Sequence, residues 1–249
     1  MKKDFYSEYF QVEDKHWWFV GRRRILLALL DRFLPEPPRP PRKILDVGCG
    51  TGTMLRYLAA YGEIQGVDAD SEAVHFCQMR GLENVSQLAG EAIPFADNSF
   101  DLITMFDVLE HIEDHSGALR EIFRVLKRDG MLVLTVPAYR FLWGAQDEIS
   151  HHKRRYRASE IKQRLHEAGM VLIKLSYFNT LLFPFIALIR LGRTFRRRRA
   201  EELKSDFTLT SAGPANELLA RIFAWERHLV ARWDLPFGVS IVGLARKKA

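Results

Sequence analysis

LDVGCGTG (residues 45–52) closes a short apolar run, KILDVG (43–48), and opens a helical one, TMLRYLAAYG (53–62). Its glycines, Gly48, Gly50 and Gly52, remove side chains where a strand must turn sharply into a helix and where backbone must approach a ligand. The spacing is G-x-G-x-G. A dinucleotide loop would place a glycine at position 53, where this chain has Thr53, and a phosphate-binding loop would need a Lys followed by Ser or Thr, which is absent. The next apolar run, EIQGVDAD (63–70), carries Asp68 near its end, twenty residues after Gly48. A carboxylate there is placed to accept hydrogen bonds from both hydroxyls of a ribose.

The alternation continues outward. SEAVHFCQMRG (71–81) reads as a helix capped by Ser71, VSQLAGE (85–91) as a third strand and FDLITMFD (100–107) as a fourth. VLEHIEDHSGALREIFRVLKRDG (108–130) reads as mostly helix, and MLVLTVP (131–137) as a fifth strand stopped by Pro137. SEIKQRLHEAG (159–169) and MVLIKLSYF (170–178) add a helix and a sixth strand. This rhythm predicts an α/β fold, a parallel sheet with helices on both faces. PEPPRPPRK (35–43) is a break that no helix or strand crosses. After Phe178 the rhythm fails until FGVSIVGLARKK (237–248) supplies one more strand, with a helical stretch, NELLARIFAWERHLVARW (216–233), in between. The predicted organisation is an N-terminal helical cap over 1–42, a core over 43–178, a helical insert over 179–235 and a last core strand within 236–249.

With 249 residues, 47% of them hydrophobic, the chain suits one α/β domain with an appendage. Cys49 and Cys77 are the only cysteines, which argues against a disulfide framework and predicts a reducing, cytoplasmic setting. The N-terminus lacks the apolar core of a signal peptide. The apolar run YFNTLLFPFIALIRLG (177–192) is interrupted by Asn179, Pro184 and Arg190 and is too short to span a bilayer. The net charge of +6 permits an anionic partner, but RTFRRRR (193–199) alone supplies five arginines, so the figure says little about the remaining surface.

ILDVGCGTG (44–52), GVDAD (66–70), GEAIPFADNSFDLITMFDVLEHIED (90–114) and RVLKRDGMLVLTVP (124–137) together resemble the ordered motifs of the class I S-adenosylmethionine (SAM)-dependent methyltransferases, in the branch of small-molecule enzymes. The resemblance implies a Rossmann-like doubly wound seven-stranded sheet with its last strand antiparallel. It implies SAM as cofactor and S-adenosylhomocysteine as product. Carried over by position, Asp46 and the loop Gly48, Cys49, Gly50 and Gly52 would hold the methionine end. Asp68 would bind the ribose, Ala69 would flank the adenine, and Glu91 would lie near the adenine amino group with Ala92 beside the ring. Phe106 would sit close to the methyl donor.

The methyl of SAM is already activated by its sulfonium, so transfer rests largely on proximity and alignment. A base helps when the acceptor is a hydroxyl or a protonated amine. In this fold the base belongs on the loops after the fourth and fifth strands. Asp107, Glu110 and His111 are spaced i, i+3 and i+4, which on a helix is one face. Two readings stand: a helix-start feature packed under the cofactor, or a functional group, with His111 as base or the three residues as a metal site. No metal is assigned. HHKRRY (151–156) follows the fifth strand and must cross the top of the sheet before its helix begins. His151 or His152 is there a candidate base, Arg154 and Arg155 a clamp for phosphate or carboxylate, and Tyr156 an orienting group; a solvated charge run is the plain alternative.

The two ends add to the acceptor side. HWWFVGRRRILLALLDRF (16–33) reads as a helical lid in which Trp17, Trp18 and Phe19 either pack onto the sheet or wall the methyl donor. Arg22 or Arg23 would face a charged group. The insert joins an apolar stretch to an arginine run, which suits peripheral contact through 179–199 with the inner face of a membrane, or else a lid or dimer contact. Nucleic-acid methylation is disfavoured. FDVLE stands where base N-methylation usually shows N/D-P-P-Y/F, and neither cysteine is placed as a base C5 nucleophile. A non-catalytic SAM-binding scaffold is the other rival. The expected function is methylation, at oxygen, of a small-molecule or lipid-linked acceptor such as a glycan, polyketide or isoprenoid.

Overall fold

The computed structural model describes residues 4–34, 40–90, 92–196 and 213–248, with side chains from Tyr6 onward and, along the insert's first helix, as far as Gly192. Seven strands form one sheet: β1 (Arg42–Val47), β2 (Gly62–Asp68), β3 (Val85–Gln87), β4 (Phe100–Phe106), β5 (Leu126–Pro137), β6 (Met170–Phe178) and β7 (Ser240–Lys247). Their order is β3-β2-β1-β4-β5-β7-β6. The first five run parallel, and β7 lies antiparallel between β5 and β6. This is the doubly wound sheet with an antiparallel last strand that the motifs imply. The strand order reverses beside β1, so a crevice opens at the carboxyl ends of β1 and β4.

The helices are α1 (Asp4–Val12), α2 (Trp17–Phe33), α3 (Thr53–Leu58), α4 (Ser71–Met79), α5 (His115–Val125), α6 (Ala145–Ile149), α7 (Ala158–Glu167), α8 (Phe183–Arg196), α9 (Pro214–Trp225) and α10 (Arg227–Val230). Strand side chains alternate between two cores, as the period of two demands. Leu45, Ile103, Leu134 and Ile241 pack with Leu119, Ile122, Ile161 and Leu165 of α5 and α7. Ile44, Leu102, Val133 and Val242 pack with Ile25, Leu26, Leu29 and Leu30 of α2 and with Phe223 of α9. Gly21 permits the α2–α9 contact, because a Cβ there would stand 2.3 Å from the Phe223 ring. That ring is fully buried and stacked on Phe178 at 6.1 Å, so it has nowhere to yield.

Several local expectations are corrected. Asp70, rather than Ser71, caps α4, its carboxylate accepting the Glu72 N–H at 3.0 Å. The helix expected over 53–62 stops at Leu58, and the strand begins at Gly62 itself. The third strand is confined to Val85–Gln87 and the last to Ser240–Lys247. The helix expected over 108–130 breaks in three. Asp107 takes a left-handed φ of 56°, Leu109–His111 form a single 3-10 turn, and Asp114 starts α5 by accepting the Gly117 N–H at 2.8 Å. Asp107, Glu110 and His111 therefore do not share a helix face. The helix expected over 216–233 breaks at Glu226, whose buried carboxylate accepts the Leu181 N–H at 2.7 Å. Among the described residues no helix is long and apolar enough to cross a membrane.

Candidate active site

A cleft of about 1490 Å³ opens over the carboxyl ends of β1 and β4 and reaches from the glycine loop to the insert. Its first half is built by the loop after β1. Gly48, Gly50 and Gly52 hold left-handed φ values of 70°, 56° and 82°. Gly48 and Gly50 line the cleft, and a Cβ at Gly50 would meet nothing within 4 Å, so the loop presents bare backbone to a ligand. Gly52 turns away, packed against Leu82 and Cys77. Asp68 pins the loop: Oδ2 accepts the Gly50 N–H at 2.8 Å and Oδ1 the Asp70 N–H at 3.0 Å. Burial holds the Asp68 carboxyl above its ordinary pKa, against those two bonds. Asp46 is 2% exposed, and its carboxylate accepts the Thr104 hydroxyl at 2.6 Å. Burial pushes the Asp46 carboxyl up to about 7, although the Thr104 bond and Arg22 pull the other way.

Cys49, Ala69, Ala92 and Phe106 complete this half. The Cys49 thiol is buried beside Cys77, and that contact together with burial raises its pKa, which leaves it inert. Glu91 lies outside the described residues. Two carboxylates, bare loop backbone and apolar walls make a donor set that suits a ribose and a cationic amino-acid end. The site fits SAM.

The N-terminal helices close over this half. Tyr6, Tyr9, Glu13, Trp17, Trp18 and Arg22 all line the cleft. The closure is fastened by Arg80 of the segment after α4. Its guanidinium donates to Thr51 O at 2.8 Å, pairs with Glu13 at 2.7 Å and Asp14 at 3.2 Å, and stacks over Phe10 at 4.3 Å. Glu13 also accepts the Thr51 hydroxyl. Trp18 both packs on Phe19 and lines the cleft, with the Arg22 guanidinium 4.9 Å above its ring. Arg22 pairs with Asp107 at 3.1 Å, so its charge is answered within the protein rather than held out to an acceptor.

The second half gathers the turn after β4 and the loop after β5. Glu110 is fully buried, and neither carboxylate oxygen has a hydrogen-bond partner among the described residues. Burial, and then Asp107, hold the Glu110 carboxyl well above its ordinary pKa. Burial, and then His152, push the His111 imidazole down to about 3, so it is neutral at pH 7. The two imidazoles meet edge to face at 4.7 Å. His152 Nδ1 lies 2.8 Å from Asp147 Oδ1, and Nε2 lies 3.9 Å from Glu110 Oε1. Burial works against the Asp147 charge, but His152, Arg155 and Arg190 together hold its carboxyl well below the usual range. Asp147 is thus an anion and an acceptor, which makes His152 Nδ1 the donor and leaves Nε2 as the ring atom on the Glu110 side.

HHKRRY divides three ways. His151, at a φ of 54°, and His152 line the cleft. The Arg155 side chain is 4% exposed and donates Nε and Nη2 to Asp147 at 2.7 and 3.0 Å and Nη1 to Ala138 O at 3.0 Å. Those bonds correct its reading as a substrate clamp. Arg154 lies outside the cleft lining and reaches the exposed Glu113. Tyr156 is buried away from the cleft, its hydroxyl 2.8 Å from His115 Nδ1 and donating to Leu109 O at 3.3 Å. It holds the loop to the turn after β4 and does not orient an acceptor.

Residues the sequence reading missed include Asp147, Glu13, Arg80 and Asn179. Asn179 is fully buried at the cleft with both amide atoms unpartnered among the described residues, at a φ of 57°. Asp107, His151 and Asn179 all line the cleft and all hold left-handed backbone, a clustering of strain that marks functional sites. The remaining wall comes from the insert: Leu182, Phe185, Ile186 and Ile189, then Leu219 and Ile222.

Residues 45–134 match a family model described as Methyltransferase domain. The chain is 40% identical over 126 residues to the uncharacterized methyltransferase YcgJ of Bacillus subtilis (strain 168), covering 48% of this chain and 49% of that protein. It is 30% identical over 150 residues to ajmaline N-methyltransferase of Rauvolfia serpentina, covering 54% of this chain and 52% of that protein. The aligned part thus spans about half the length of these relatives. Among solved structures, that of Bacillus YcgJ superposes with a TM-score of 0.57 at 22% identity, covering 92% of this chain and 99% of the other, which shows a shared fold.

Proposed function

The chain carries a class I, SAM-dependent methyltransferase domain, and from that premise we propose that it methylates, at oxygen, a small-molecule or lipid-linked acceptor with an apolar body. The observation that supports this most is the continuity of one cleft. The glycine loop with Asp46 and Asp68 lies at one end, the Glu110, His111 and His152 cluster in the middle, and an apolar wall of insert residues at the other.

When bound, SAM supplies a methyl group already activated for displacement. Asp68 would hold the ribose, the bare backbone at Gly48 and Gly50 would lie against the methionine end, and Ala69, Ala92 and Phe106 would wall the nucleoside and sulfonium. The α1–α2 closure, fastened by Arg80 and Glu13, covers this end. Asn179 offers an amide to a polar group of the acceptor. The acceptor hydroxyl gives up its proton at the histidine cluster, where His111 is neutral and His152 presents Nε2.

Asp46 gives a pH dependence. With its carboxyl up at about 7, most molecules at pH 6 carry it protonated, and a cationic ligand prefers the anion. SAM affinity is therefore expected to rise as pH climbs toward 7 and to level off above it, with a limiting slope of about tenfold per unit below the pKa. Calorimetric titration of native protein and Asp46→Asn across this range checks it. A native slope that persists in Asp46→Asn would assign the titration to another group, such as the amine of SAM itself. Without ligand the sign is opposite: a raised carboxyl favours the fold at low pH, and that contribution is lost as pH rises through about 7.

A lipid-linked acceptor is favoured by α8, where Phe185, Leu188 and Ile189 are 66%, 69% and 55% exposed. Such an apolar row suits the inner face of a membrane. The arginine side chains at 193–199 fall outside the described residues. An amine acceptor is the second reading, favoured by the likeness to a relative named as an N-methyltransferase. The test is to incubate the protein with methyl-labelled SAM and native cell extract and to partition the products. Label in organic solvent, on an oxygen-bound methyl by its carbon chemical shift, is expected. Label in water-soluble products would remove the lipid acceptor, and a nitrogen-bound methyl the oxygen assignment. No transfer to either phase would count against the enzyme.

A further inference from the structure

We propose that Glu110, His111 and His152 form a binding site for one divalent transition-metal ion on the acceptor side of the cleft. One ligand atom from each residue lies within 4.8 Å of the other two. Nitrogen and oxygen ligands sit about 2.0–2.2 Å from such an ion, so the cluster closes on an ion once each ligand atom moves inward by up to roughly 0.7 Å. The set is assembled by the fold. Glu110 and His111 come from the turn after β4, while His152 comes from the loop after β5, bound to that turn by the Lys153 N–H to Glu110 O bond of 2.9 Å.

Two observations point to an ion here. Glu110 is wholly buried, yet both carboxylate oxygens lack a hydrogen-bond partner among the described residues. A protein interior rarely leaves such a group without a purpose. Behind His152 stands Asp147, which accepts a hydrogen bond from Nδ1 and sets Nε2 on the Glu110 side. A carboxylate behind a histidine is the support that metal-binding imidazoles have. Asp147 is itself held by the Nε–Nη2 edge of Arg155, so the ring is fixed by two successive layers.

The donor set selects the ion. Two imidazoles and a carboxylate suit Zn²⁺, Co²⁺, Fe²⁺ or Mn²⁺, whereas Mg²⁺ and Ca²⁺ prefer oxygen alone. Three protein ligands leave coordination positions open, and all three residues line the cleft. With both imidazoles bound to the ion, the ion in place of a free ring would acidify a hydroxyl entering an open position, and the proton would pass to cleft water. This part rests on the transfer reading above; the binding of the ion does not.

The test uses the full chain, freed of any tag and stripped with a chelator, with SAM left out. It is titrated with Zn²⁺ by calorimetry and with Co²⁺ by visible absorption. One ion per chain, with a Co²⁺ band of four- or five-coordinate character, is expected. His152→Gln and Glu110→Gln are each expected to weaken binding at least roughly 100-fold while circular dichroism stays native. Should Glu110→Gln fail to fold, His152→Gln at the cleft lining decides alone. Absence of one-to-one binding, or unchanged binding in folded variants, would overturn the site. A metal site without methyl transfer to any acceptor would leave the ion in place and remove the hydroxyl chemistry assigned to it.

Discussion

Asp147→Asn is expected to destabilise the fold by about 3–5 kcal/mol and to remove transfer activity from whatever remains folded. Asp147 is fully buried and is the counter-charge for Arg155, whose side chain is 4% exposed, and for Arg190 at 3.4 Å. Neutralising it leaves buried guanidinium charge without an answer, which is the costly way to break an ion pair. The variant also disturbs His152. An asparagine amide facing Nδ1 can donate to the ring, which would move the ring proton to Nε2 and withdraw the lone pair from the Glu110 side. A loss of base function of this kind is worth on the order of 10²–10⁴ in rate. SAM affinity should hold in the folded fraction, because the residue lies at the other half of the cleft. The pH dependence of stability gives an independent signature. A depressed carboxyl contributes stability that is present above the ordinary carboxylate pKa and lost as pH falls below it. The native protein should therefore lose this contribution in acid, and the variant should show no such loss. Denaturant unfolding at pH 7 and at about pH 3, below the ordinary carboxylate pKa, measures both, and a variant within about 1 kcal/mol of native at pH 7 would sink the account.

The part of the site that was legible in the sequence is the part built from neighbours along the chain. The loop from Gly48 to Gly52 and Asp68 are set by two adjacent strand ends, and strand ends follow from apolar periodicity. The acceptor half was not legible, because its roles are fixed by burial and by partners far apart in sequence. Asp147 is an unremarked residue in a polar stretch until the fold seals it under α8 and hands it Arg155, Arg190 and His152. Glu13 and Arg80 lie 67 positions apart and meet only because α1 folds back over the glycine loop. HHKRRY sends its side chains to different sides, so within six residues His152 serves the cleft, Arg155 the buried ion network, Tyr156 the far core, and Lys153 and Arg154 the exposed Glu113. The turn after β4 misled for a local reason. Helical spacing was present at Asp107, Glu110 and His111, but the left-handed Asp107 and the Asp114 cap interrupt the helix between them and α5. That interruption is what frees Glu110 and His111 to face His152.

The Asp68→Ala variant is expected to bind SAM at least roughly 150-fold more weakly while remaining folded. The estimate takes two charge-assisted hydrogen bonds to a ribose diol at about 1.5–3 kcal/mol each. The native carboxylate is already ordered by the Gly50 and Asp70 N–H groups at 2.8 and 3.0 Å, so no entropy is left to lose when the diol arrives. The fold should tolerate the change, because burial raises the Asp68 pKa and its charge is therefore a cost to the folded state. Loss of the pin on Gly50 alone would loosen the loop and weaken every ligand that touches it, so a second ligand separates the two effects. Adenosine carries the ribose but no methionine end. If Asp68 holds the diol, adenosine and SAM should lose affinity by the same factor in Asp68→Ala, whereas Asp46→Asn should affect SAM and spare adenosine. Calorimetric titration of both ligands against both variants gives the four numbers. A fall of less than tenfold for SAM in Asp68→Ala, or a fall confined to SAM, would move the ribose away from Asp68 and leave that carboxylate as a brace for the glycine loop.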